Sequence, residues 1–157
     1  MKKILYAIVL LVVAGACSPV KVTYDKSAPF RQYRRFAYVK SRHETHLPVK
    51  YQRIIVYEID RFIKALPLEP DRSRPDILVK IDMDFHRRVD VYHEPFIGIH
   101  HSMRKKSYEG TVRIIFTDAR TGKKVWEAVF GLNFSRESEL RRMLKKYLLK
   151  ALEKYPA

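Results

Sequence analysis

The sequence predicts an α+β domain: a single sheet, antiparallel or mixed, of about four to five strands, with two helices packed on one face. Three observations carry this. From Ile77 to His86 apolar and polar residues alternate without a break, the period of a strand with one buried face. Two further alternating segments, Thr111–Thr117 and Val125–Leu132, flank a turn. Two longer stretches, Val49–Leu66 and Glu137–Tyr155, repeat their apolar residues at helical spacing.

The elements follow in chain order. Val20, Val22 and Tyr24 alternate with Lys21 and Thr23, which predicts a short first strand. Asp25 to Pro29 carries turn residues, and Arg34 to Lys40, with Phe36, Tyr38 and Val39, reads as a second strand. After a polar loop from Ser41 to Pro48, the residues Tyr51, Ile55, Ile59, Phe62, Ile63 and Leu66 mark one face of a helix that Pro67 ends. A charged, proline-bearing loop leads from Leu68 to Pro75. On the central strand Ile77, Val79, Ile81, Met83 and Phe85 share one face, and Leu78, Lys80, Asp82, Asp84 and His86 the other. The segment from Arg87 to Ser107 combines charge with Pro95 and Gly98 and reads as a long mobile loop between strands, dispensable for folding. Val112, Ile114 and Phe116 mark the next strand; Asp118 to Lys123 is a turn with a positive φ expected at Gly122; Trp126, Ala128, Phe130 and Leu132 mark the return strand. The last helix carries Leu140, Met143, Leu144, Tyr147, Leu148, Ala151, Leu152 and Tyr155 as its apolar stripe. Ser135 is placed to cap it, Glu137 and Glu139 sit in its first turn, and Pro156 stops it.

The chain opens with Met-Lys-Lys, an apolar run from Ile4 to Val13, and Ala14-Gly15-Ala16, directly before Cys17. This is a basic region, an apolar region and a small-residue cleavage site. A cysteine at that point is the mark of a bacterial lipoprotein, in which the thiol takes a diacylglycerol and becomes the acylated N-terminus. Ala14 stands where Leu, Val or Ile is usual, and Ala14-Gly15-Ala16 is also an ordinary signal-peptidase site, so release as a soluble exported protein is the alternative. Cys17 is the single cysteine of the chain, and lipidation accounts for an odd cysteine in an exported protein. The apolar run is shorter than the roughly 20 residues that span a bilayer. Ser18 rather than Asp after the cysteine favours the outer membrane, and the expected location is its periplasmic leaflet.

Removing residues 1–16 leaves a mature chain of 141 residues, enough for one domain, and lowers the formal charge from +15 to +13 as Lys2 and Lys3 depart. Such a balance attracts polyanions. In the envelope these are anionic headgroups, lipopolysaccharide phosphates or acidic wall polymers; nucleic acid is not an expected partner. The last helix gathers Arg141, Arg142, Lys145, Lys146, Lys150 and Lys154 opposite its apolar stripe. Its basic face, with Arg141, Lys145 and Lys146 as the candidate contacts, is placed to meet an anionic surface while the stripe covers the sheet.

Tyr24-Asp25 with Phe30 and Tyr33, Phe36-Ala37-Tyr38, Pro75-Asp76-Ile77-Leu78-Val79, Tyr108-Glu109-Gly110-Thr111 running into Asp118-Ala119-Arg120-Thr121-Gly122-Lys123-Lys124-Val125-Trp126, and the closing Tyr155-Pro156 stand in a fixed order along the chain. Together these phrases resemble a bacterial lipoprotein family, domain of unknown function 4136. The resemblance covers nearly all of the mature chain. It implies an exported, lipid-anchored α+β domain and no known activity, so Cys17 is the one functional residue it transfers. The first helix here is poorer in alanine than the family's usual one, and the first loop is shorter.

The motifs of catalysis are sparse. His93, His100 and His101 cluster with Glu94 and offer imidazole and carboxylate ligands for Zn²⁺, but their spacing fits no strong motif. Asp82 and Asp84 share a strand face with Lys80 beside them, an arrangement read as ion pairing rather than acid–base chemistry. No G-x-S-x-G turn and no glycine-rich phosphate loop occur among the five glycines. The expected function is therefore a non-catalytic binding or scaffold module of the envelope, without a cofactor, meeting an envelope protein or anionic lipid. A metal-dependent hydrolase using the His93–His101 segment is the alternative.

Overall fold

The computed structural model describes residues 19–41, 45–96 and 99–156, and of residues 92–96 and 99–104 it describes the backbone alone. The elements run β1 (Val20–Tyr24), a 3₁₀ turn (Phe30–Gln32), β2 (Arg35–Tyr38), α1 (Val49–Lys64), β3 (Glu69–Pro70), β4 (Ile77–Phe96), β5 (Ile99–Asp118), β6 (Lys124–Phe134) and α2 (Glu137–Leu152). One sheet holds six strands in the order β1-β6-β5-β4-β2-β3. It is mixed: β2 runs parallel to both β4 and β3, and the other pairs are antiparallel. The expected class is present; the strand count is higher because β3 is a two-residue pairing that leaves no periodic trace in the sequence.

The expected facing of β4 holds. Ile77, Val79, Ile81, Met83 and Phe85 are buried, as are Val112, Ile114 and Phe116 of β5 and Trp126, Ala128, Phe130, Leu132 and Phe134 of β6. Both helices cover this one face. From α1, Phe62 stacks on Trp126 with ring centres 6.1 Å apart, and Tyr51 meets Phe134 edge-on at 5.2 Å. From α2, Tyr147 lies against Phe130 at 5.7 Å. Burying such a set of large side chains, at ~25 cal/mol per Å² of apolar surface, is the main force holding helices to sheet.

The helices run side by side in one direction. Lys50 bonds Glu137 at 2.7 Å near their starts, and Arg141 reaches Glu58 at 3.1 Å further along. Among the described residues no helix covers the opposite face of the sheet, which is laced with charge pairs, Lys80–Asp82 at 2.9 Å and Lys124–Glu127 at 2.7 Å among them.

Two expectations are corrected. The segment Arg87–Ser107 is not a loop: β4 and β5 continue in unbroken antiparallel register from Arg87↔Tyr108 to Phe96↔Ile99. Alternation faded from the sequence there because the strands have outrun the helices, so neither face needs to be apolar. Ser135 does not cap α2. The first helical turn is closed from within by Glu139, whose carboxylate accepts the N–H groups of Ser135 (2.9 Å) and Arg136 (3.3 Å) and the Ser135 hydroxyl (3.1 Å). The Asp118 turn is as expected, with Gly122 at φ 69°.

Candidate membrane-facing surface

The site begins with the stripe of α2. Leu140, Leu144, Leu148 and Ala151 are buried against the sheet and α1, which turns Arg142, Lys145, Lys146 and Leu149 outward, since residues three and four apart share a helix face. Arg142, Lys145 and Lys146 are exposed, and Leu149 is 51% exposed in their midst. Lys150 and Lys154 lie three and seven residues beyond Tyr147, on the flank toward β1. Among the described residues, no ion pair engages Arg142, Lys145, Lys146, Lys150 or Lys154.

Arg141 is different. Its Nη1 lies 3.1 Å from Glu58 and its Nε 3.0 Å from Glu137, so its charge is used within the helical layer. The Glu137 carboxyl is held below its ordinary value first by the bond from Lys50 and then by Arg141. Of the three candidate contacts read from the sequence, Lys145 and Lys146 project freely and Arg141 is a strut between helices. The Glu137–Arg141 spacing of four residues announces one of its bonds; Glu58 belongs to another helix and no local pattern reveals it.

Lys145 also borders a groove of about 250 Å³ between the helices, floored by Phe62, Ala65, Leu148 and Leu152, with Arg61 on the other wall. Leu149 lines it as well. This leucine falls outside the buried stripe, so helical periodicity does not single it out.

The start of the domain lies beside α2. Val20 is 1% exposed and pairs with Phe130, the residue on which Tyr147 packs. Residues 1–18, including Cys17 and Ser18, lie outside the described residues.

The remaining candidates separate. The side chains of His93, His100, His101 and Glu94 lie outside the described residues; the backbone register sets Glu94 opposite His101 and Pro95 opposite His100. Asp82 is paired with Lys80 at 2.9 Å, while Arg113, its register partner, turns to Glu127 at 3.6 Å. Asp84 is exposed opposite Thr111. Asp118, nearly buried, is a turn anchor. Burial pushes its carboxyl up, but the bonds from the Thr121 and Arg120 N–H groups and the Tyr33 hydroxyl outweigh it and hold it low.

A family model described as domain of unknown function (DUF4136) matches residues 20–157. The chain belongs to this family. No curated protein matches it. Among solved structures, the DUF4136 chain is similar to a PDZ domain protein from Parabacteroides distasonis, with 16% identity and a TM-score of 0.57 over 88% of this chain and 35% of that one. It therefore spans about a third of that protein's length. It is also similar to the PelC dodecamer from Paraburkholderia phytofirmans, with 13% identity and a TM-score of 0.52 over 88% of this chain and 98% of that one. At these identities the likeness is one of fold. Among the described residues, no helix of the DUF4136 domain is long and apolar enough to cross a membrane.

Proposed function

We propose that the chain is a non-catalytic envelope lipoprotein, acylated at Cys17 in the periplasmic leaflet of the outer membrane, whose domain rests on anionic headgroups through the outer face of α2. The observation that carries this is the adjacency of two features: cations of α2 without carboxylate partners, and a strand start packed on the same helix. Cys17 is three residues from Val20, a span of at most about 10 Å. A lipid held in the bilayer at Cys17 keeps β1, and α2 beside it, within about a Debye length of the headgroups. Each Lys or Arg near an anionic surface contributes roughly 1 kcal/mol, and Leu149 gives the basic face an apolar point of entry. The sheet's open face then points away from the bilayer, toward the compartment where a protein partner is met.

The test is co-sedimentation of the unacylated domain with anionic and neutral vesicles across a salt series. Binding to anionic vesicles alone, fading by about 0.3 M salt, is expected. Reversing Arg142, Lys145 and Lys146 to Glu should abolish it with the melting curve unchanged. Binding that is absent at low salt, or unchanged at high salt, contradicts the reading.

A further inference from the structure

Past the body of the sheet, β4 and β5 pair only with each other among the described residues. The last residue of β6 pairs with Tyr108, and the last backbone bond along the outer edge of β4 among these residues is at Phe85. The nine pairs from Arg88↔Ser107 to Phe96↔Ile99 form a two-stranded arm, about 30 Å long at the usual rise. Isolated two-stranded ribbons are marginal in water, and a bare strand edge is a template for pairing with another chain.

The edge of β4 is open in a defined phase. The Val79 carbonyl accepts the Val39 N–H at 2.9 Å, the Ile81 N–H donates to Ser41 Oγ at 3.1 Å, and the Phe85 carbonyl accepts the His46 N–H at 3.1 Å. Odd-numbered residues therefore direct their backbone groups outward, and among the described residues those of Arg87, Val89 and Val91 meet no partner. Natural edges are commonly guarded by lysine, proline or a bulge. Pro95 guards the far end of this one, but the stretch from Arg87 to Val91 has no lysine, proline or bulge: Val89 is 42% and Val91 49% exposed, and Arg88 and Asp90 lie on the other face, 3.0 Å apart.

The sequence of that edge is complementary to itself. Laid antiparallel on a second copy about a two-fold axis at Val89, Val89 faces its equivalent in a hydrogen-bonded pair, the phase the open backbone groups require. Arg88 then falls opposite Asp90 of the other copy, and Asp90 opposite its Arg88, in close non-hydrogen-bonded pairs where opposite charges attract. Arg87 falls opposite Val91. We propose that the β4 edge of the arm is a homodimer interface, pairing with the same edge of a second copy in this register. Such a contact is isologous and closes on itself.

The register dictates its test, made on the chain from residue 17 with Cys17→Ser so that no thiol or lipid intervenes. The parent should sediment at twice the monomer mass. Arg88→Asp places acid against acid, and Asp90→Arg places base against base, so each variant alone should sediment as a monomer. Mixed in equal amounts, the two should form a heterodimer, because each carries the charge that the other needs. Both variants lack the Arg88–Asp90 pair within the chain, so recovery on mixing reports the contact between copies alone. A monomeric parent, variants that each remain dimers, or a mixture that stays monomeric overturns the proposal.

Discussion

Gly110 occupies the tightest point of the sheet. It pairs with Phe85, and a Cβ at this position would collide with the Asp84 carbonyl and the Phe85 ring. Gly110→Ala is expected to destabilise the domain by about 1–3 kcal/mol. Gly131→Ala, whose added carbon meets only the Gly110 carbonyl at 3.8 Å, should change the denaturant midpoint little; equal losses at both sites would show that the packing around Phe85 is misread. The glycine of the Tyr108-Glu109-Gly110-Thr111 phrase was visible in the sequence, but its reason was not, because the ring that needs the space arrives from another strand. Glu139 is a second residue with a readable consequence. Its carboxyl is held at about 2 against an ordinary 4.5, first by the Ser135 N–H and then by the Arg136 guanidinium. An acid depressed on folding contributes its stability above about pH 4.5 and loses it as the pH falls from there through 2. Acid unfolding of the Glu139→Gln variant should therefore be less steep across that window than the parent's, with lower stability near neutrality. A parallel pH dependence would remove Glu139 as a source of acid lability. Its place in the first turn was legible from helix-dipole considerations, whereas its backward reach to Ser135 depended on a cap geometry that periodicity does not encode.

At the scale of elements, legibility followed burial. The faces of β4, β5 and β6 could be read wherever helices cover them, because there one side of the strand must be apolar. Ile81, 6% exposed on that face, is the test: Ile81→Asp buries an unpaired charge at a cost of about 3–5 kcal/mol, and a thermal melt should show a domain largely unfolded. Lys80 makes a single surface pair with Asp82, worth about 0–1 kcal/mol, so Lys80→Ala should melt near the parent; a parent-like melt for Ile81→Asp would reverse the facing. Beyond Phe85 and Tyr108 the described ribbon is largely open, with Ser107 its one buried side chain, the alternation lapses into charge, and the same strands read as a loop. The arm adds no buried apolar side chain among the described residues. Joining Arg88 to Ser107, a pair in the hydrogen-bonded phase, through an Asn-Gly turn, a favoured two-residue hairpin connection, should leave the melting temperature nearly unchanged while abolishing dimer formation. Loss of folding on that excision would make the arm structural.

For the whole molecule, the class, the order of the main elements and the coverage of one sheet face by both helices could be argued from period and turn chemistry alone. The division of labour among the α2 cations could not. Arg141 and Lys145 are equally basic in the sequence, and only the approach of α1, bringing Glu58, distinguishes a strut from a free charge. The central claim is that the acylated protein lies with α2 toward the bilayer and the open sheet face away. Labelling at single cysteines tests it most directly, since an acylated Cys17 leaves an introduced thiol as the one reactive group. A fluorophore at Leu149→Cys and another at Lys80→Cys, each on lipidated protein in anionic vesicles, would be compared for quenching by brominated lipids. Strong quenching at position 149 and little at position 80 is predicted. Equal quenching at the two positions, or the reverse order, would contradict the account.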